Sequence, residues 1–257
     1  KVNGELVLMN TPNTLTSDEA FSYQITLAAK TSYQFEIQYD GSNDFVLGWD
    51  APGNLFTPEE EYLAAAKNAD AVIYFGGLSH GDDREAIDRD HMMLPNSQDE
   101  IISKLLAVNN KTVVFIVAGS AVEMPWVNDA NAIVWGWYGG MEGGHAYADV
   151  IFGDINPSGK LPITLPVKLA DTAPIALNDY NATESLYSEG VFIGYRWFEK
   201  QNIMPLFPFG HGLSYTNFVY SNIQLSANTI ASEEILTIKG TVKNNGDTAG
   251  AEIAQLY

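Results

Sequence analysis

The sequence predicts an α/β fold: a mostly parallel-sheet α/β sandwich flanked by partial all-β sandwich segments. Three observations carry this. Continuous apolar runs at residues 71–75, 112–118 and 132–137 alternate with helical stretches, as in βαβ units whose strands are buried on both faces. Residues before 52 and after 216 switch to period-2 alternation of apolar and polar side chains, the pattern of half-buried antiparallel strands. Between the two textures, residues 157–212 are rich in Pro, Gly and aromatic side chains, which predicts an ordered connector wrapped on the sheet domain.

Taken in order, residues 1–52 contain four alternating stretches, among them Phe21-Ser22-Tyr23-Gln24-Ile25-Thr26-Leu27 and Tyr33-Gln34-Phe35-Glu36-Ile37-Gln38-Tyr39. Four strands are too few for an independent sandwich, so further strands are expected upstream. Asp50-Ala51-Pro52-Gly53-Asn54 reads as a linker. Pro58, with Glu59, Glu60 and Glu61, opens a helix whose acidic residues sit at its positive end. The run at 71–75 is a buried strand ending at Gly76-Gly77, and Asn96 or Ser97 caps a second helix from Asp99 to about Val108. Strands at 112–118 and 132–137 follow, then a third helix over 142–152. After the connector, strands are expected at 218–225, 235–242 and 249–257, the last two joined by a hairpin turn at Asn244-Asn245-Gly246-Asp247. The organisation is therefore 1–52, 53–165, 166–215 and 216–257. The opening Lys1 and a final strand with nothing after it read as cuts through something larger.

Composition narrows the function. With 13 basic and 32 acidic residues among 257, the net charge is 13 − 32 = −19 and the pI about 4.3, a surface that repels phosphate backbones and anionic lipid. Nucleic acid and membrane are excluded as partners on that ground, and no apolar run approaches the ~20 residues of a transmembrane helix. The absence of cysteine removes disulfides, thiolate nucleophiles, iron–sulfur clusters and cysteine-bound zinc.

Chemistry concentrates in the loop after the first parallel strand, His80-Gly81-Asp82-Asp83-Arg84-Glu85-Ala86-Ile87-Asp88-Arg89-Asp90-His91, where an open α/β sheet places its ligand. The plain alternative is a solvated loop with internal ion pairs. Against it, Met92-Met93-Leu94-Pro95 follows at once, and a loop tied down by apolar anchors can hold a carboxylate in a partly dry place fit for general-acid work. A metal site is the weaker reading: the spacing fits neither a calcium loop nor a helical His pair, so no metal and no cofactor is expected. Gly139-Gly140-Met141-Glu142-Gly143-Gly144 could present amides to an anion, but it fits no dinucleotide or P-loop pattern, and close backbone packing is the preferred use. Ser120 lacks the residues of a nucleophile elbow, and His145 and His211 stand alone. Trp135, Trp137, Tyr138 and Trp197 are aromatic candidates to stack on a ligand, with core packing preferred for the first two.

Several long motifs carry a family resemblance. Residues 77–95, with Glu85, Asp88 and Arg89 as a Glu-x-x-Asp-Arg core and a Met-Leu-Pro ending, resemble glycoside hydrolase family 3. So do Gly140-Met141-Glu142-Gly143-Gly144-His145-Ala146, the run 151–162 and Pro205-Leu206-Phe207-Pro208-Phe209-Gly210-His211-Gly212. The resemblance covers roughly residues 57–257. It implies the family's C-terminal α/β sandwich domain at 53–165, an aromatic-rich connector at 166–215, and at 216–257 the start of a fibronectin type III-like domain. Residues 1–52 resemble the tail of a protective-antigen-like β-sandwich.

The resemblance implies a retaining, exo-acting β-glycosidase, most often a β-glucosidase, acting on a β-glucoside or oligosaccharide. In such enzymes a Glu of the α/β domain is the acid/base, and the nucleophilic Asp lies on a TIM-type barrel, here the remaining part of the same enzyme. Alignment on Asp88-Arg89 places the acid/base at Glu85 and a second acidic position, a substrate-binding candidate, at Asp83. Ala86 and Ile87 stand where the family usually has Gly and an aromatic residue. The chain by itself is expected to be inactive. An exported location, periplasmic or extracellular, is implied by the resemblance alone, and association into a homo-oligomer is left open. The other functional class is a non-catalytic carbohydrate-binding or adhesion module; a barrel with a buried Asp upstream would decide for the enzyme.

Overall fold

The computed structural model describes Gln34 and residues 59–257 apart from residues 87, 181 and 182. The strands expected before residue 52 lie outside the described residues.

A three-stranded parallel sheet forms the centre, in the order β1 (Val72–Gly77), β2 (Thr112–Val117) and β3 (Ala132–Trp135). Its register pairs Phe75 with Phe115 and Phe115 with Val134. The middle strand is buried on both faces: Val114, Phe115 and Ile116 are 0%, 1% and 0% exposed, which is why it reads as an unbroken apolar run. Val114 and Ile116 pack against Ile102 and Leu106 of helix α2 (Gln98–Val108), together with Trp126 from the loop after β2. On the other face Phe115 stacks on Phe75 at 4.8 Å and meets Tyr147 of helix α3 (Gly143–Phe152) at 4.6 Å. Helix α1 (Glu59–Asn68) packs on α2, carries its three glutamates in its first turn and Lys67 in its last, and is tied to α2 by Glu59 Oε2 accepting from Lys104 Nζ at 2.6 Å.

Two local expectations are corrected. Ser97 occupies the N-cap position of α2, but its φ of 57° turns the hydroxyl away and it makes no side-chain cap; its carbonyl accepts from Glu100 and Ile101 instead. Strand β3 ends at Trp135 rather than Trp137, because Trp137 takes a positive φ of 51° that breaks the extended backbone.

The connector is ordered. Leu165 pairs with Phe207 in an isolated antiparallel bridge, and Leu161 exchanges backbone bonds with His211 and Gly210. Within it, helices α4 (Ala173–Ala176) and α5 (Tyr195–Gln201) contribute a second apolar cluster of Ala173, Trp197 and Phe198. Strands β4 (Phe218–Leu225) and β5 (Ile238–Asn244) form an antiparallel pair. The strand expected at 249–257 is absent: that segment finds no ladder partner among the described residues, and Asn244 closes a side-chain turn by accepting from Gly246 N at 3.0 Å instead of opening a hairpin. Among the described residues, no helix is long and apolar enough to cross a membrane.

Candidate active site

All three parallel strands run the same way, so the loops after β1, β2 and β3 emerge at one edge of the sheet. The turn out of β1 is made by Gly77, whose φ is +137° and where a Cβ would lie 1.9 Å from the Val117 carbonyl oxygen; only glycine fits this approach. Gln98, the first residue of α2, secures the same point: its Oε1 accepts from Gly77 N at 2.7 Å and its Nε2 donates to Gly77 O at 2.8 Å.

Beyond Gly77 the charged loop is held by neutral partners rather than internal ion pairs. Asp82 accepts from Ser79 N at 2.9 Å and closes the first turn. Asp83 reaches the other two loops. Its Oδ2 accepts from Gly119 N at 3.0 Å and Tyr138 Oη at 2.8 Å, and its Oδ1 accepts from Ser120 Oγ at 2.9 Å. Burial opposes ionisation of Asp83, but these donors and the Arg89 charge outweigh it and hold its pKa below the ordinary carboxylate value. Tyr138 is shifted upward by burial and by the hydrogen bond it gives Asp83.

The far stem of the loop is anchored as well. Arg89 Nη2 donates to Ser120 Oγ at 3.2 Å and to the Ala121 carbonyl at 2.5 Å. Asp88 accepts from Tyr180 of the connector, which raises the Tyr180 pKa. Met92 and Leu94 are 5% exposed each, and Met92 O accepts from Glu123 N at 2.8 Å, as the apolar anchors predict.

Between these stems Glu85 is exposed, with no hydrogen bond or ion pair among the described residues. The partly dry place expected for the acid is therefore not formed: the anchors bury Met92 and Leu94, not the Glu85 carboxyl before them. The two residues singled out from the sequence are thus brought onto one loop in different states: Asp83 engaged by protein donors, Glu85 free. Ala86, where a glycine is expected from the resemblance, takes the glycine-like φ of 68°. Among the described residues no three His, Asp or Glu side chains group as a metal ion would need.

Other candidates are placed away from chemistry. Trp197 is 5% exposed, with its indole N–H donated to the Asp171 carbonyl at 3.0 Å, so it is core and not a sugar platform. Trp135 and Trp137 meet edge to face at 5.7 Å. His145 pairs with Glu142 on the surface, and His211 stacks on Phe207, its pKa lowered by burial and Lys160. Two surface cavities, about 450 and 440 Å³, lie elsewhere: one at the opposite edge of the sheet by Lys67, Asn109 and Lys111, the other in the connector by Tyr195, Phe198 and Pro208.

Residue-by-residue reading weighed Ser120 only as a nucleophile and set it aside, missed Tyr180 and gave Tyr138 a different task. Ser120 had a usable signal, since Gly119-Ser120 follows a buried strand directly and so falls at the ligand edge of the sheet. Tyr180 had none: it lies 92 residues from the carboxylate it meets.

Comparison with known proteins identifies the family. The pattern of the Glycosyl hydrolase family 3 C-terminal domain matches residues 11–215. A probable β-glucosidase I of Aspergillus flavus is 47% identical over 197 residues, covering 75% of this chain and 24% of the relative. A β-glucosidase of Bacteroides ovatus is 45% identical over 198 residues, covering 75% and 26%. Among solved structures, the β-glucosidase DesR of Streptomyces venezuelae, in complex with D-glucose, superposes with a TM-score of 0.68 at 37% identity over 74% of this chain and 24% of that one. A family 3 β-glucosidase of Bifidobacterium adolescentis gives 0.68 at 36% identity, over 74% and 28%. The chain spans about a quarter of the length of these relatives. With the matched pattern running through most of its length, the chain belongs to glycoside hydrolase family 3, within the family's C-terminal domain.

Proposed function

We propose that this chain supplies the general acid/base of a retaining, exo-acting β-glucosidase, with Glu85 as the proton donor and the nucleophilic Asp on a barrel domain of the same protein. The observation that carries this reading is the state of the loop after β1: both stems are staked to the sheet edge through Ser120, while Glu85 between them has no partner among the described residues. An unpaired carboxyl at that edge is free to meet a leaving oxygen, which a proton donor needs. The names of the relatives, β-glucosidases throughout those cited, support the substrate class, and the glucose complex of DesR supports a glucosyl unit as the group recognised. The β4–β5 pair supports reading residues 216–257 as the start of a fibronectin type III-like domain.

The chemistry follows from two carboxyl groups set about 5–5.5 Å apart. The barrel Asp attacks the anomeric carbon as protonated Glu85 gives its proton to the glycosidic oxygen, releasing the aglycone and leaving a glucosyl ester. Glu85, now ionised, takes a proton from water as that water attacks the anomeric carbon, which frees glucose and restores both groups.

The test is Glu85→Gln in the full-length protein. General-acid assistance is worth roughly 10²–10⁴-fold, and only where departure is hard. Hence kcat/KM should fall by about that factor on an alkyl glucoside or cellobiose and change little on 2,4-dinitrophenyl β-glucoside. Equal losses on both substrates would remove Glu85 from the role.

A further inference from the structure

Asp83 lies two residues before Glu85, and its carboxylate is spent on the protein. Three donors from the loops after β2 and β3 converge on it: Gly119 N at 3.0 Å, Ser120 Oγ at 2.9 Å and Tyr138 Oη at 2.8 Å. The hydroxyl of Ser120 that donates to Asp83 also accepts from Arg89, four residues after Glu85. The near and far stems of the loop therefore close on one another through a single serine.

The surroundings are shaped for this contact. A Cβ on Gly119 would lie 2.7 Å from the Tyr138 ring and 2.9 Å from Asp83 Oδ2, so the lack of a side chain there is what lets both approach. Trp137 accepts a left-handed φ of 51°, a strained choice for a tryptophan, immediately before the residue that delivers its hydroxyl to Asp83. Strain and an obligate glycine around a carboxylate are costly for a group meant only to touch a sugar hydroxyl.

We propose that Asp83, with Ser120 and Arg89, is a positioning set that fixes where Glu85 stands at the sheet edge, rather than a sugar-binding residue. The inference rests on the reading of Glu85 as proton donor. It works through geometry: a proton donor must hold its hydrogen-bond distance to the leaving oxygen, and a displacement of about 1 Å can cost on the order of 10²-fold. Loosening one stem should therefore cost proton transfer and leave sugar affinity alone.

The experiment measures Asp83→Asn, Ser120→Ala, Ser120→Thr, Tyr138→Phe and Glu85→Gln in the full-length protein, on cellobiose and on 2,4-dinitrophenyl β-glucoside, with inhibition by glucose as the affinity readout. Asp83→Asn keeps the size but turns an amide N–H toward donors. It should lower kcat/KM on cellobiose by about 10–100-fold, with a smaller loss of kcat/KM on the dinitrophenyl substrate and with the glucose inhibition constant moving less than about twofold. Ser120→Ala should reproduce the pattern in weaker form, and Ser120→Thr, which keeps the hydroxyl, should restore it. If Asp83→Asn does not fold, the Ser120 pair and Tyr138→Phe carry the same test. Weakened glucose inhibition, with equal losses of kcat/KM on both substrates, would make Asp83 a sugar ligand and overturn the proposal while the Glu85 reading stands. Unchanged kinetics in the Ser120 and Tyr138 variants would overturn it too. Uniform losses in Glu85→Gln itself would bring down the proton-donor reading and this inference with it.

Discussion

Ala86, directly after the proposed proton donor, has a φ of 68°. In that region the Cβ of an L-residue crowds the following carbonyl, at a cost of roughly 1–2 kcal/mol. Replacement by glycine removes the clash but enlarges the freedom of the unfolded chain, which costs about 0.4–1 kcal/mol. The first effect is the larger, so Ala86→Gly should stabilise the full-length protein by about 0.5–1 kcal/mol in urea unfolding, with unchanged glucose inhibition; lower stability would mean the loop does not need this conformation. The residue also marks how far a sequence can be read at this scale. The motif around Glu85 identified the loop despite Ala86, because Glu85, Asp88 and Arg89 keep their spacing. That the backbone retains a glycine's conformation without the glycine is visible only in the dihedral. Asp83 is similar: its place was legible, its engagement with Gly119, Ser120 and Tyr138 was not.

Among the elements, β1 and α2 depend on each other at one point. The Gln98 amide pairs with both the N–H and the C=O of Gly77, as a neighbouring strand would, and also accepts from Tyr74 Oη at 3.1 Å. Tyr74 is itself pushed up to about 12 by burial and by the nearby Asp99 charge, so it stays a neutral donor at any working pH. Gln98→Ala leaves these groups without partners in a part-buried place, a loss of about 1–3 kcal/mol. Faster amide exchange at Gly77 and a lower urea midpoint are the expected readouts; an unchanged midpoint would show that water replaces the glutamine. The existence of β1, α2 and β2 followed from periodicity, because apolar spacing is a local property. The start of α2 was legible to within a residue, with Ser97 at its cap position; what the sequence did not show is that at φ 57° Ser97 makes no side-chain cap.

At the scale of the molecule, the chain covers 24% of its Aspergillus flavus relative, and the proposed reaction needs a second carboxylate on the opposite side of the sugar. Of the other acids on that loop, Asp82 is committed to Ser79, Asp83 to the sheet-edge loops and Asp88 to Tyr180, and Asp90 lies on Glu85's own loop. The purified 257-residue chain is therefore expected to release no nitrophenol from p-nitrophenyl β-glucoside; turnover that disappears with Glu85→Gln would place both carboxylates in this chain and refute the split centre. What the sequence determined alone is the α/β class of the central domain, its three strands and their helices, the ordered connector and the loop that holds the candidate acid. All of these are written in short-range patterns of polarity and motif. Tertiary structure alone decided which side chains hold that loop, since the contacts of Asp83 with Ser120 and Tyr138 join residues 37 and 55 apart. It also decided that residues 249–257 find no ladder partner among the described residues, because a strand exists only where a neighbour offers its backbone.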